Sequence, residues 1–340
     1  MNTVDICVTE GDLAMPDNTI HAVAGLGPVG RAIIDELVSR GLPVRAVARR
    51  LPPDLPPGVD FAEADLTDAR ATRAALNGTA VVYHAASAPY DRWPELLPPL
   101  MTTLIDASAA TGARVVYADN LYAYGPVDTV LTEDVPYRAT GPNGRVRAAL
   151  AVRLMDAHAQ GRLRATIGRA SDYYGPRGLQ SIAGERLFPP ALAGKAAQLL
   201  GNPDVPHTLT FLPDFARGLV TLGTQEAAFG QAWHVPSAET LTMREFASLV
   251  FRAAGQPPRL QVLPPLLLRL LAVVSPTMRA VREQQYQREA PWLVDHSKFA
   301  AAFGVEVTPH NEAVARTLEW FSGTGEHSAP SGTSSGPRAA

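Results

Sequence analysis

Residues 25–30, Gly25-Leu26-Gly27-Pro28-Val29-Gly30, stand between an apolar run, Ile20 to Ala24, and an amphipathic stretch, Val29 to Arg40. Glycine patterns this short arise by chance. Here the flanking order supplies the meaning, a buried strand before and a helix after. In that order the first glycine permits a tight turn, the second lets the backbone approach a pyrophosphate, and the third packs helix on strand. Pro28 suits the first helical turn, where its missing N–H is no loss. The free N–H groups and the helix dipole then favour phosphates. Gly25, Gly27, Pro28, Val29 and Gly30 are therefore the expected dinucleotide contacts, the plainer alternative being a glycine turn with no ligand.

Beyond this turn the alternation continues. Val44 to Ala48 reads as a second strand, with Gly41 able to cap the preceding helix and Pro43 following it. Phe61-Ala62, Val81-Val82-Tyr83, Val115-Val116-Tyr117 and Thr166-Ile167 read as further strands, and Ala148 to His158 as a helix. Strands alternating with helices imply right-handed crossovers and a parallel sheet. The expected fold is α/β: a Rossmann-type doubly wound parallel sheet over residues 20–169, rejoined by 208–235. A smaller, mostly helical C-terminal substrate lobe covers residues 170–321. Residues 1–19 read as a polar extension and 322–340, rich in Gly, Ser, Pro and Thr, as a disordered tail. Leu266 to Val274 is far short of the roughly 20 residues that span a bilayer and reads as a buried helix of the second lobe.

The chain has 340 residues, of which 46% are apolar and 19% charged, as in a folded soluble protein of about two lobes. Cys7, the single cysteine, cannot form an internal disulfide or a cysteine-based zinc cage. The eight histidines show no metal-ligand spacing, so no metal is expected. With 30 basic and 33 acidic residues, no global field draws the chain to nucleic acid. The start lacks the charge and apolar run of a signal peptide. These features suggest a cytoplasmic monomer or homodimer with a small-molecule substrate, and neither nucleic acid nor membrane as partner. Only two of the basic residues are lysines, Lys195 and Lys298, which leaves 28 arginines.

At the end of the second strand an NAD-specific site would place an acid to grip the ribose 2′-hydroxyl. Arg49 and Arg50 stand there instead. Guanidinium groups would accept a 2′-phosphate, which favours NADPH, with NADH as the alternative. Two solvated arginines in an arginine-rich protein are the plainer reading.

Further motifs accumulate along the chain. Asp65-Leu66, His84-Ala85-Ala86, Tyr122-Ala123-Tyr124-Gly125 and Arg169-Ala170-Ser171-Asp172-Tyr173-Tyr174-Gly175-Pro176 together resemble an extended short-chain dehydrogenase/reductase, in the broad family of NAD-dependent epimerases and dehydratases. The resemblance covers about residues 20–321. It implies that Asp65 and Leu66 touch adenine, that Ala85 and Ala86 lie against the adenine ribose, and that Ser171 sits beside the nicotinamide. Family members usually catalyse with a serine on the fifth-strand loop and a Tyr-x-x-x-Lys on the next helix, the tyrosine exchanging a proton with the carbonyl oxygen. Here Asp119-Asn120 replaces the serine pair, Asn143 the tyrosine and Arg147 the lysine. Neither lysine has a tyrosine four residues before it, so the motif is absent from the whole chain.

That loss constrains the chemistry. Arg147 can hold ribose hydroxyls, but a guanidinium does not shuttle protons. Asn120 can donate to a developing oxyanion without releasing a proton. The candidates for the catalytic group are therefore Asp119, Asn120, Asn143, Arg147 and Tyr174, with Tyr122, Tyr124 and Tyr173 as further phenols near the nicotinamide. A phenol on the substrate itself is the preferred proton source. Tyr90, Trp93 and Tyr122 are the expected substrate contacts, the first two either walling a flat aromatic ring or simply anchoring their loop. The atypical pattern resembles the ketoreductases of angucyclinone antibiotic pathways. This implies an NAD(P)H-dependent ketoreductase of a bulky, polycyclic aromatic polyketide. The alternatives are a sugar-nucleotide epimerase or dehydratase and a non-catalytic NADP(H)-binding regulator.

Overall fold

The computed structural model describes residues 19–324; the N-terminal extension with Cys7, and residues 325–340 of the expected tail, lie outside the described residues. The first lobe runs β1 (Ile20–Ala24), α1 (Pro28–Ser39), β2 (Val44–Ala48), β3 (Asp60–Glu63), α2 (Ala69–Ala75) and β4 (Thr79–His84). It continues through α3 (Trp93–Thr111), β5 (Arg114–Asn120), α4 (Pro142–Ala159) and β6 (Ala165–Ala170). These six strands and the strand Ala232–His234 form one parallel sheet, ordered Ala232–His234, β6, β5, β4, β1, β2, β3. The winding reverses between β1 and β4, which leaves a crevice at their carboxyl ends.

Alternate side chains leave opposite faces of each strand. Ala22, Ala24, Val82, Val115 and Tyr117 pack on one face with Leu97, Met101 and Leu104 of α3 and Leu150 and Leu154 of α4. Val23, Val81, Tyr83 and Val116 pack on the other, with Ile33, Ile34 and Leu37 of α1 and Phe215 and Leu219 of the helix Leu212–Thr224. Both faces are covered, so the strands read as nearly continuous apolar runs. A separate core of Tyr174, Phe188, Phe211, Phe246, Phe251 and Leu318 fills the smaller lobe. The strand β7 (Asp172–Tyr174), which follows β6 directly, pairs with Leu209–Phe211 and leads into it.

Three elements depart from the local sequence pattern. Helix α3 runs through Pro98 and Pro99, each of which removes a backbone donor. Burial of Leu97, Met101, Leu104, Ile105 and Ser108 holds it together, tertiary packing outweighing propensity. Helix α4 starts at Pro142, one and a half turns before the apolar period begins. The run Leu266 to Val274 is helical within Pro265–Val274, but it is not wholly buried. Leu268 and Ala272 face inward, while Leu270, Val273 and Val274 are 59%, 71% and 79% exposed. Among the described residues no helix is long and apolar enough to cross a membrane.

His21, His84 and His234 are buried in this frame. Desolvation holds their pKa values at about 4, about 3 and about 3, against roughly 6.5 in an unfolded chain. The folded protein refuses protons that the unfolded chain accepts. Stability is therefore full above pH ~6.5 and is lost as pH falls toward 4, by at most ~1.4 kcal/mol per pH unit for each histidine. Urea unfolding at a series of pH values should show this slope, and His21→Gln should shrink it.

Candidate active site

The phosphate turn is held by close backbone contacts. Gly25 has φ +99°, and a Cβ there would lie 2.4 Å from the Cα and N of Ala86. A Cβ on Gly30 would sit 1.9 Å from the Gly25 carbonyl oxygen. Gly27, the residue preceding α1, is different: its φ is −70° and a Cβ there meets nothing within 4 Å. The fold itself has no need of glycine at that position, so the space beside it is open to a ligand. No acidic residue stands in the first turn of α1 and no side chain caps it, which leaves N–H groups free for phosphate.

Around the turn, Arg49 and Arg50 are exposed at the end of β2. Asp65 is exposed past β3. Its carboxyl is held below the ordinary value by the Thr67 N–H and hydroxyl, at 2.9 and 2.7 Å, with Arg49 adding to the effect. Leu66 packs its side chain into the core. The Ser171 hydroxyl, past β6, is buried without a partner. An open glycine, an uncapped helix start and an orphaned hydroxyl across one crevice fit a bound dinucleotide.

The expected catalytic group does not assemble as read. Asn143 is 2% exposed and its Nδ2 donates to the Tyr90 carbonyl at 3.1 Å. It anchors a loop instead of standing in for the tyrosine. Arg147 donates from Nη1 to the Tyr117 hydroxyl at 2.7 Å, lies 3.4 Å from Asp119 Oδ1, and covers the Trp93 ring at 4.2 Å. Its Nε is buried without a partner. Asp119 accepts from Arg169 Nε at 3.1 Å on its other oxygen and is fully buried, so it neutralises two cations and reaches no substrate.

The phenols and the tryptophan also need correction. The Tyr174 hydroxyl lies 2.9 Å from His310 Nδ1, within the aromatic core of the smaller lobe, and burial raises its pKa further. The Tyr124 hydroxyl is held by Arg169 Nη1 and His234 Nε2, both at 2.7 Å. Trp93 is 8% exposed and its indole N–H donates to the Ala88 carbonyl at 3.0 Å. It lies beneath Arg147 and packs edge-on against Tyr90 at 4.7 Å. Asn120 accepts from the Tyr122 N–H at 3.1 Å, and its Nδ2 is free among the described residues to meet an oxyanion.

Tyr90 and Tyr122 do come together, edge to face with ring centroids 6.3 Å apart. Burial pushes the Tyr90 phenol up to about 12 and the Tyr122 phenol well above its ordinary value. Tyr122, Gly141, Gly144, Arg282, Glu283 and Tyr286 line a cavity of about 330 Å³. Glu283 Oε1 accepts from the N–H groups of Asn143 and Gly144 at 2.9 and 3.2 Å, so a residue 140 positions away caps α4 and lets it begin early. Behind the tyrosines stand Asp172, His207 and Arg288, all largely buried. The local pattern assigned none of these three a role. Asp172 lies inside a quoted motif and could have drawn notice; Arg288 is one arginine among 28.

The sequence pattern of the NAD dependent epimerase/dehydratase family matches residues 22–235. The chain belongs to that family. Among its relatives, a dTDP-glucose 4,6-dehydratase of Streptomyces griseus is 26% identical over 210 residues, 58% of this chain and 63% of that protein. The chain thus matches less than two thirds of that dehydratase. Among known structures, epimerase Mth375 of Methanothermobacter thermautotrophicus superposes with a TM-score of 0.77 at 16% identity, covering 92% of this chain and 94% of its own. DesIV, a dTDP-glucose 4,6-dehydratase of Streptomyces venezuelae with NAD and TYD bound, gives 0.71 at 20% identity, covering 91% and 98%. At these identities the structures share the epimerase/dehydratase fold.

Two substitutions separate structural from ligand-binding roles. Gly27→Ala should leave the melting temperature unchanged and weaken dinucleotide binding at least tenfold by fluorescence titration, whereas Gly25→Ala should lose the fold. Asp119→Asn should lower unfolding free energy by about 3–5 kcal/mol in urea, because two buried guanidinium groups lose their counter-charge. A variant of unchanged stability and no turnover would put Asp119 in the chemistry instead.

Proposed function

We propose that this protein reduces a bulky ketone with a nicotinamide dinucleotide, NADPH in preference to NADH, and that the ketone is of the polycyclic aromatic polyketide class. One observation carries the reading. At the place of the family's tyrosine and lysine, Asn143 and Arg147 are buried and committed to the Tyr90 carbonyl, Tyr117 and Asp119. Epimerases and dehydratases first oxidise a sugar carbinol, hydride leaving the carbon while a base takes the hydroxyl proton. Neither an amide nor a guanidinium can serve. Reduction makes a lesser demand: an oxyanion must be held and then protonated from any nearby source.

The chain's own residues support these steps. The turn around Gly27 would hold the pyrophosphate, and Arg49 with Arg50 the 2′-phosphate. A dinucleotide bound there would supply hydride at the carboxyl end of β5. Asn120 Nδ2 would donate to the developing oxyanion, and Tyr90 with Tyr122 would offer aromatic surface to a flat ring. Two proton sources are compatible with this arrangement, a phenol on the substrate beside the ketone and a group of the enzyme. The family and its sugar-nucleotide relatives support a second reading better than they support the first: epimerase or dehydratase action on a nucleotide sugar.

Loss of NADPH absorbance separates the readings. Consumption with polycyclic aromatic ketones, and none with dTDP- or UDP-sugars, is the expected result; conversion of a nucleotide sugar would establish the second reading. Binding without turnover across both panels would make the protein a dinucleotide-binding regulator. Arg49→Ser with Arg50→Ser should raise the KM for NADPH about tenfold while leaving that for NADH unchanged.

A further inference from the structure

We propose that Asp172 and His207 hold a proton in common and that this pair, acting through the Tyr122 hydroxyl, is the enzyme's own proton source for the reduction. The role rests on the ketoreductase reading; the shared proton does not. His207 is 1% exposed and its Nδ1 lies 3.0 Å from the Gln287 carbonyl oxygen. A carbonyl only accepts, so Nδ1 carries the hydrogen. A neutral ring of that tautomer would turn a lone pair at Nε2 toward Asp172 Oδ2, 3.3 Å away. Two buried acceptors face to face repel. Both atoms are buried and neither has a hydrogen-bond partner, their contact with each other included. A proton on Nε2 converts this contact into a charge-assisted hydrogen bond.

The surroundings favour release toward the crevice. Arg288 Nη2 lies 3.7 Å from the same Asp172 oxygen, and its Nε and Nη1 are buried without partners. With His207 protonated the three groups carry one excess positive charge, a fixed field that stabilises an oxyanion nearby. Burial pushes the Asp172 carboxyl up, while His207 and Arg288 bring it below its ordinary value. The groups facing the cluster are Tyr90 and Tyr122, which interact with each other, with Tyr173, Tyr286 and, beyond them, Glu283. Tyr122, Tyr286 and Glu283 also line the cavity, and of these Tyr122 directly follows Asn120 and Leu121 at the end of β5. A reduced nicotinamide bound in the crevice would supply hydride to the carbonyl carbon, and the C=O π pair would move to oxygen. The oxygen would take the Tyr122 proton, and Tyr122, which feels the Asp172 charge, would recover one from the Asp172–His207 pair, restored by solvent at the 12% exposed Asp172 side chain.

Nitrogen NMR of the ¹⁵N-histidine-labelled protein, without dinucleotide, tests the shared proton directly. The His207 ring is identified by its loss in His207→Gln. Protons on both ring nitrogens at pH 7, with Nε2 deprotonated in Asp172→Asn, is the expected result. A neutral ring in both proteins overturns the proposal. Turnover tests the role: the rate should fall toward high pH, and in Asp172→Asn it should drop at least tenfold and lose that pH dependence. The dinucleotide KM should not change, and Asp172→Glu should restore part of the rate. A substrate whose phenol is methylated should still turn over. If methylation abolishes turnover and Asp172→Asn leaves the pH profile intact, the proton comes from the substrate and the proposed role is overturned. A protonated His207 in a protein that reduces no ketone would sustain the pair and refute the ketoreductase reading.

Discussion

Asp119 is one carboxylate between two guanidinium groups, all three buried where β5 ends, and much of the site follows from that shortage of negative charge. Arg147 and Arg169 carry one more positive charge than Asp119 cancels. The remainder is met by weaker partners: the hydroxyls of Tyr117, Tyr124 and Tyr137 accept from them. The ring faces of Trp93, Tyr124 and Tyr137 cover them. Each such contact contributes less than a full ion pair, and their number makes the burial tolerable. Tyr117 and Tyr124 are thereby committed as acceptors, with burial raising both phenols. Neither can act as the acid that the α4 position lacks.

The same accounting shapes the crevice. An arginine at the lysine position preserves positive charge beside the end of the sheet and removes any exchangeable proton from it. The electrostatic half of the family's couple survives; the acid–base half does not. A second cluster, Asp172 with Arg288 and His207, repeats the pattern on the side of the smaller lobe. Its fold superposes on those of an epimerase and a dTDP-glucose 4,6-dehydratase, and function is decided by side chains at the sheet's carboxyl edge.

Legibility divided along physical lines. The inner strands of the first lobe could be read because they are buried on both faces and carry short apolar runs, and the edge strand β3 by its Phe61-Ala62 pair. The glycine turn could be read because a tight turn, a close packing contact and an open approach each leave a glycine behind. Helix α3 could not, since Pro98 and Pro99 contradict a local helical pattern that only packing overrides. Tyr174 and Trp93 were misplaced for a related reason: a motif fixes where a residue sits along the chain, but not which way its side chain turns. Tyr174 turns into the smaller lobe and Trp93 under Arg147.

From the amino-acid order alone came the parallel sheet, the phosphate turn and the absence of any tyrosine–lysine couple, because these depend on local periodicity, backbone freedom and residue identity. The tertiary structure alone decided that Asn143 and Arg147 are buried, that Glu283 caps α4, and that Asp172, His207 and Arg288 converge behind Tyr122. Those facts depend on contacts between residues as many as 140 positions apart. Charge compensation over such separations is a property of three-dimensional neighbours, and no periodicity in the chain encodes it.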